Sequence, residues 1–299
     1  MALSGEQWSI GYGGREAVIV GVGGGLRSFT VDGQSYVDGY AEDEIAPGWA
    51  GHILAPWPGR LADGRYTFDG RTYQLPLNEP DTRTAMHGLV GWLRWRAVEV
   101  ESSSVSLECE LPAQPGYPFP LVLRTRWSVG PWGLRAAHYV SNVGEAPCPF
   151  GLGVHPYIRL PHGDLPRWSL AIGAKTALTT DERRLPKGLS DADFTEARPI
   201  GDTVLDTTFT DFQRDGAGVA AVRLTDGDGW GVDVWMDESF GWAQVYTGDT
   251  LEVARRRRSI AIEPLSCPPN ALKTGEGLVN LPPGGLWSGN WGIKPHRRK

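Results

Sequence analysis

Between Trp95 and Val143 the chain reads in short alternating bursts, A-V-E-V, V-S-L-E-C-E-L, L-V-L-R-T-R-W-S-V and L-R-A-A-H-Y-V-S-N, parted by turn-formers such as Gly130-Pro131. A period of two sets apolar side chains on one face of an extended segment and polar ones on the other, the mark of a half-buried strand. The same texture returns near the C-terminus in A-A-V-R-L-T-D, G-V-D-V-W-M-D and A-Q-V-Y-T-G, and no segment carries the period of a long amphipathic helix. Forty glycines and 23 prolines are spread along the chain, which keeps every run short. The expectation is an all-β protein of many antiparallel strands. No repeat, low-complexity tract or linker divides the 299 residues, so one domain over 1–299 with a sizeable core is expected.

Charge and cysteine usage narrow the function classes. With 29 basic and 35 acidic residues, the net charge of -6 disfavours nucleic acid and anionic membrane as partners. Cys109, Cys148 and Cys267 are an odd set without C-x-x-C spacing, which argues against structural zinc and for a reducing cytosol. No apolar run reaches the length of a membrane helix, and M-A-L-S-G-E-Q-W lacks a signal-peptide core. A soluble, cytoplasmic protein is expected.

In chain order, A-V-I-V-G-V (17–22) and L-R-S-F-T-V (26–31) read as strands joined through Gly23-Gly24-Gly25, and Asp32-Gly33 as a tight turn towards Tyr36 and Val37. The glycines do not make a dinucleotide loop, because Leu26 stands where a third glycine is required and a strand follows instead of a helix. Tyr66, Phe68, Tyr73 and Leu75 flank an Asp69-Gly70 hairpin turn. Arg60 follows Pro58-Gly59 in a loop where a guanidinium can reach a polar ligand bidentately, whereas His52 and Arg65 read as structural or surface residues. His87 stands before Gly88, and His155 before Pro156 with Gly151 and Gly153 clearing space nearby. A lone histidine among apolar residues is more often a hydrogen-bonded core or rim residue than a catalyst.

Asp206 and Asp211, in G-D-T-V-L-D-T-T-F-T-D-F, are candidate site residues or turn caps. Arg255–Arg258 is a run of four arginines, read as a solvated loop with a phosphate site as the alternative. In S-I-A-I-E-P-L-S-C-P-P-N-A-L, Ile260–Ile262 is a short strand that Glu263 closes ahead of Pro264. From that segment alone a solvated glutamate is the commoner outcome. The alternative is a general base whose pKa rises through partial desolvation.

Taken in order, L-A-P-W-P-G-R-L-A-D-G-R-Y-T-F-D-G, M-H-G-L-V-G-W, G-V-H-P-Y, I-E-P-L-S-C-P-P-N-A-L and the C-terminal L-P-P-G…W-G-I resemble the aldose 1-epimerase (mutarotase) family, closest to its bacterial aldose-1-epimerase-like proteins. The resemblance spans Gly25 to Ile293. It implies a large antiparallel β-supersandwich with few short helices, an isomerase activity, an aldose such as glucose or galactose as partner, and no metal or organic cofactor. It further implies Glu263 as general base, His155 as general acid, and His87 as a second histidine bonding the sugar near its ring oxygen. Arg60 and Asp206 match the sugar-binding arginine and aspartate. G-V-H-P-Y departs from the N-H-x-Y-F pattern of dedicated galactose mutarotases, so the resemblance carries the chemistry and not galactose specificity. Trp57, Trp92 and Trp242 are candidates to stack on a sugar face, though most tryptophans in a sandwich are core.

Three further readings compete. A non-catalytic sugar-binding protein would use the arginine, the aspartate and aromatics only. A glycoside hydrolase would pair Asp206 with Glu263. A hexose-6-phosphate mutarotase would use the arginine run, but alternate residues of an extended segment face opposite ways, so at most two of the four could converge on one phosphate.

Overall fold

The computed structural model describes residues 2–297. Two large antiparallel sheets dominate it. The nine-stranded sheet runs Arg96–Val100, Ser104–Leu111, Leu121–Gly130, Gly133–Asn142, Leu286–Arg297, Trp230–Met236, Ala220–Thr225, Ser169–Ala171 and Arg198–Pro199 from edge to edge. The eight-stranded sheet runs Pro186–Asp191, Ala174–Thr180, Asp206–Phe212, Trp242–Tyr246, Ile260–Leu265, Gly153–Val154 and Ile53–Leu54, with Tyr157–Ile158 also paired to Ile260–Leu265. A four-stranded sheet, Gln7–Tyr12 to Gln34–Ser35, precedes them. Helix is confined to Ala271–Thr274 and two short 3₁₀ turns, Pro47–Trp49 and Leu165–Arg167. No helix among the described residues is long and apolar enough to cross a membrane.

The turns follow from local chemistry. Asp32 and Gly33 have φ of 48° and 77°, and Asp69 and Gly70 have 48° and 71°, the paired left-handed geometry that closes a two-residue hairpin. Gly13-Gly14 and Pro131-Trp132 are also two-residue links, because Tyr12 pairs directly with Arg15 and Gly130 with Gly133.

Side-chain alternation makes the sandwich. Leu123, Trp127, Leu134, Val140, Val234, Trp291 and Ile293 of the larger sheet share one contiguous apolar core with Phe209, Ala243, Val245, Ile260 and Ile262 of the smaller one. Each fully buried Ile, Val or Leu contributes roughly 1.5–3 kcal/mol. The intervening residues of the smaller sheet belong elsewhere. Ala261 joins a cluster with Tyr40, Ala46, Ala50 and Tyr157, and Leu265 joins Leu178 and Trp242. The smaller sheet is therefore covered on both faces, by the core on one and by loops around a cleft on the other.

That double cover corrects the reading of Glu263. Ile260–Leu265 is a strand buried along its whole length, and Glu263 lies inside it, 3% exposed, instead of closing it at the surface. Pro264 continues the strand with its missing N–H opposite Val154, the last residue of the short strand Gly153–Val154.

Candidate active site

The cleft floor is one face of the eight-stranded sheet. Gln244 pairs with Glu263, Thr208 with Gln244, Tyr246 with Ala261 and Asp206 with Tyr246. Successive residues point to opposite faces, so Glu263, Gln244, Thr208, Tyr246 and Asp206 all turn the same way. They line a cavity of about 200 Å³ together with His155, Tyr157, Leu178 and Thr180. Loops supply most of the walls, with Trp49, Glu79, His87, Arg184, Thr250 and Leu251 among the lining residues, whereas Arg60, expected in a loop, opens the short strand Arg60–Ala62 paired with Thr84–Met86.

His155 and Glu263 meet across the sheet. Gly153 pairs with Leu265 and Tyr157 with Ala261, and the same register carried between them sets His155 opposite Glu263. The Ile262 N–H bonds Pro156 O and the Ser266 N–H bonds Leu152 O, so the position between Pro156 and Val154 is a non-hydrogen-bonded one. Side chains approach most closely at such positions. Accordingly, His155 Nε2 stands 3.3 Å from Glu263 Oε1, both side chains being almost wholly buried. Burial pushes the Glu263 carboxyl well above its ordinary range and Asp206 adds to the rise, while Arg60 partly offsets it. Burial likewise pulls His155 down to about 3. Burial thus disfavours the charged form of each partner, the carboxylate and the imidazolium alike.

The other imidazole, His87, packs edge-on against that of His155. His87 has φ 64° and precedes Gly88 at 74°, where a Cβ would sit 2.1 Å from the Ala55 carbonyl oxygen. Only glycine allows that approach. The Gly59 N–H donates to His87 Nδ1 at 3.2 Å. Nδ1 is therefore the acceptor and Nε2 carries the proton, since burial holds the ring neutral. Its ring centre lies 5.5 Å from that of His155 and 5.1 Å from that of Trp49. The glycines before His155 serve its neighbours: a Cβ on Gly151 would meet Cys267 Sγ at 2.3 Å, and one on Gly153 would meet Leu265 and Pro58.

Arg60 is held by a carboxylate. Its Nε and one terminal nitrogen donate to Glu79, both at 2.7 Å. Thr82 and Thr84 hydroxyls also donate to Glu79. Burial alone would raise Glu79, but these donors hold it at about 2. Burial works against the Arg60 charge, and Glu79 more than offsets that. On the far side of the floor, Gln244 donates to Asp206 Oδ1 at 2.6 Å and receives the Thr208 hydroxyl.

Thus Glu263, His155, His87, Arg60 and Asp206, distant in sequence, are brought to one cleft. Other candidates are not. Asp211 lies outward on the same strand, bonded to the Thr176 hydroxyl. Arg255 and Arg258 pair with Glu44 and Asp38, and Arg257 with Asp249. The arginine run fastens loops, with Arg256 exposed, and none of the four lines the cavity. Trp57 is core, its indole N–H bonding Ala85 O. Trp92 packs on Trp49 and Trp242 under Leu178 and Leu265, so the tryptophan at the cleft is Trp49. His52 is buried beside Trp92, and Arg65 is exposed. Unforeseen lining residues include Trp49, Glu79, Arg184, Gln244 and Tyr246. Gln244 and Tyr246 carried a usable signal, because A-Q-V-Y-T alternates as a strand must. Among the described residues no group of three or more His, Cys, Asp or Glu side chains is arranged to hold a metal ion.

The family model for aldose 1-epimerase matches residues 6–294. The chain belongs to the aldose 1-epimerase family. YihR, an uncharacterised protein of Escherichia coli K12, is 33% identical over 99% of this chain and 92% of its own length. Among solved structures, a galactose mutarotase-like protein from Clostridium acetobutylicum superposes with a TM-score of 0.85 at 16% identity, covering 97% of this chain and 95% of that one. A GalM/aldose epimerase homologue from C. elegans gives 0.85 at 18% identity, covering 98% and 100%. Galactose 1-epimerase from Lactobacillus acidophilus gives 0.82 at 18% identity, covering 98% and 95%. At such identities these structures speak to the fold: this aldose 1-epimerase family member has the galactose mutarotase-like β-supersandwich, as the resemblance implied.

Proposed function

We propose that the protein is a cytoplasmic, single-domain aldose 1-epimerase that interconverts the α and β anomers of a free aldohexose. The observation that carries this reading is the buried His155–Glu263 pair, 3.3 Å apart, with a second neutral imidazole, His87, packed edge-on against His155. Anomer exchange removes the proton from the C1 hydroxyl and delivers one to the ring oxygen. The C1–O bond of the ring then breaks, the aldehyde rotates about C1–C2, and the ring closes with the roles reversed. A carboxylate and an imidazole sharing one proton can supply both transfers without a covalent intermediate. With that shared proton on the imidazole, Glu263 acts as base, His155 as acid, and His87 holds the sugar near the ring oxygen through Nε2–H. Arg60 and Asp206 anchor hydroxyls while C1 turns.

A free sugar is favoured over a phosphosugar because Arg255, Arg257 and Arg258 are paired with carboxylates outside the cleft, and Arg60 is forked on Glu79. A hydrolase built on Asp206 and Glu263 has no use for an imidazole against the acid. The cytoplasmic assignment rests on three buried free cysteines, and the single domain on one contiguous core. The test is the optical rotation of freshly dissolved α-glucose and α-galactose. Relaxation must quicken in proportion to protein concentration for at least one of them. A rate equal to the uncatalysed one with both sugars, despite binding, would leave a sugar-binding protein in its place.

A further inference from the structure

Arg184 stands at the mouth of the cleft in a backbone few residues adopt, with φ 59°. The turn that carries it, between strands Ala174–Thr180 and Pro186–Asp191, is closed by Asp181, whose Oδ1 accepts from the N–H groups of Arg183 and Leu185. Its neighbour Arg183 ties that turn across the cleft. Its guanidinium donates to the carbonyls of Thr82 and Arg83 and to Asp63, at 2.9–3.0 Å. The two arginines thus divide the work: one clasps the rim, and the other turns to the cleft, where Nη1 lies 3.4 Å from Asp206 Oδ2.

Asp206 sits two strands from Glu263 by way of Trp242–Tyr246 and two residues along, in line with Ala261 while Thr208 is in line with Glu263. Two strand spacings are roughly 10 Å and two residues along add roughly 7 Å at right angles, about 12 Å between backbones. Side chains reaching inward from that separation bracket a pyranose ring, with C1 at Glu263 and the opposite carbon at Asp206. We propose that Arg184 is a specificity-determining, substrate-binding residue of this cleft, which with Asp206 brackets the sugar hydroxyl across the ring from C1. This rests on the anomer-exchange reading only for which end of the sugar faces Glu263. A hydroxyl has one proton to give and lone pairs to accept with. A carboxylate and a guanidinium side by side satisfy both at once, and only for a hydroxyl directed between them. Gln244 fixes the carboxylate from the other side. A site that pairs with a substrate hydroxyl discriminates strongly against the analogue lacking it, because its own polar groups are then left unpaired.

The experiment is a binding cycle on the full chain, read by tryptophan fluorescence, since Trp49 lines the cleft. Dissociation constants are measured for glucose, galactose and 4-deoxyglucose with wild type, Arg184→Gln and Arg184→Lys, while NMR follows anomer exchange in wild type. Arg184→Gln is expected to weaken the preferred epimer roughly ten- to hundredfold, to bring the glucose and galactose constants together, and to leave 4-deoxyglucose nearly unchanged. Arg184→Lys recovers part of the loss. Unchanged epimer preference in Arg184→Gln, or an equal loss for 4-deoxyglucose, overturns the assignment. Exchange absent from a wild type that shows this binding pattern would remove the enzymatic reading and leave the role of Arg184 standing. No measurable binding of any of the three sugars to wild type overturns both.

Discussion

Replacing Glu263 with glutamine keeps the size of the side chain and removes its basicity, so it separates catalysis from stability. General base catalysis contributes typically 10²–10⁴-fold, and Glu263→Gln should lose at least that much of the exchange rate. Stability moves the opposite way. Burial lifts the folded-state pKa of Glu263 above its ordinary 4.5. A group whose folded pKa is raised binds more protons folded than unfolded, so stability is lost as pH rises through that interval. The loss is nil well below pH 4.5 and grows as pH rises towards the folded pKa. A neutral amide escapes it. Glu263→Gln is therefore expected to match wild type near pH 4 and to exceed it above the ordinary carboxyl range, read as a higher urea midpoint. The assay is urea denaturation across this pH range, paired with NMR exchange between anomers. Near wild-type exchange would remove Glu263 as the base. A variant less stable than wild type at pH 8 would refute the claim that burial strains this carboxyl.

The remaining predictions follow from the same geometry. His155→Gln should cost about 10²–10⁴ in kcat, because the amide can hydrogen-bond but cannot carry the proton, and a variant that keeps its kcat rejects His155 as the acid. Glucose 6-phosphate should show no advantage in kcat/KM over glucose, and Arg256→Ala should leave both values unchanged; a phosphosugar preference that collapses in this variant would make the arginine run a binding site after all. EDTA should leave exchange unaffected, since the proton chemistry uses a carboxyl and imidazoles; activity lost to the chelator and restored by a divalent ion would replace this mechanism.

The all-β character was legible because alternation is a local property, visible in L-V-L-R-T-R-W-S-V and its neighbours without knowing the partner strand. The position of Glu263 was not. Whether a strand glutamate meets water depends on what covers its face, here loops contributed by residues more than a hundred positions away, such as Trp49. The arginine run misled for a related reason: four adjacent like charges look solvated or phosphate-seeking until Asp38, Glu44 and Asp249 are folded against them. Trp57, Trp92 and Trp242 could not be told from Trp49 by composition, since all four sit among apolar residues. Arg60 was seen as a ligand-facing guanidinium, but its partner Glu79 lay in a polar loop that carried no pattern. The five site residues named at the outset were found through motif order, not through periodicity.

The interruption between Pro156 and Pro264 has a mechanical consequence. At two successive hydrogen-bonded positions each strand lacks one donor, so the ladder between Val154 and Pro156 holds with fewer bonds than any regular stretch of the sheet. The seam is compliant where its neighbours are stiff. Under the proposed anomer exchange, His155 and Glu263 would part to admit a hydroxyl without breaking a row of backbone bonds. The rest of the floor, from Gln244 to Asp206, stays fixed by full strand pairing. An arrangement in which one end of the cleft yields and the other does not lets the anomeric carbon swing while the rest of the sugar is held.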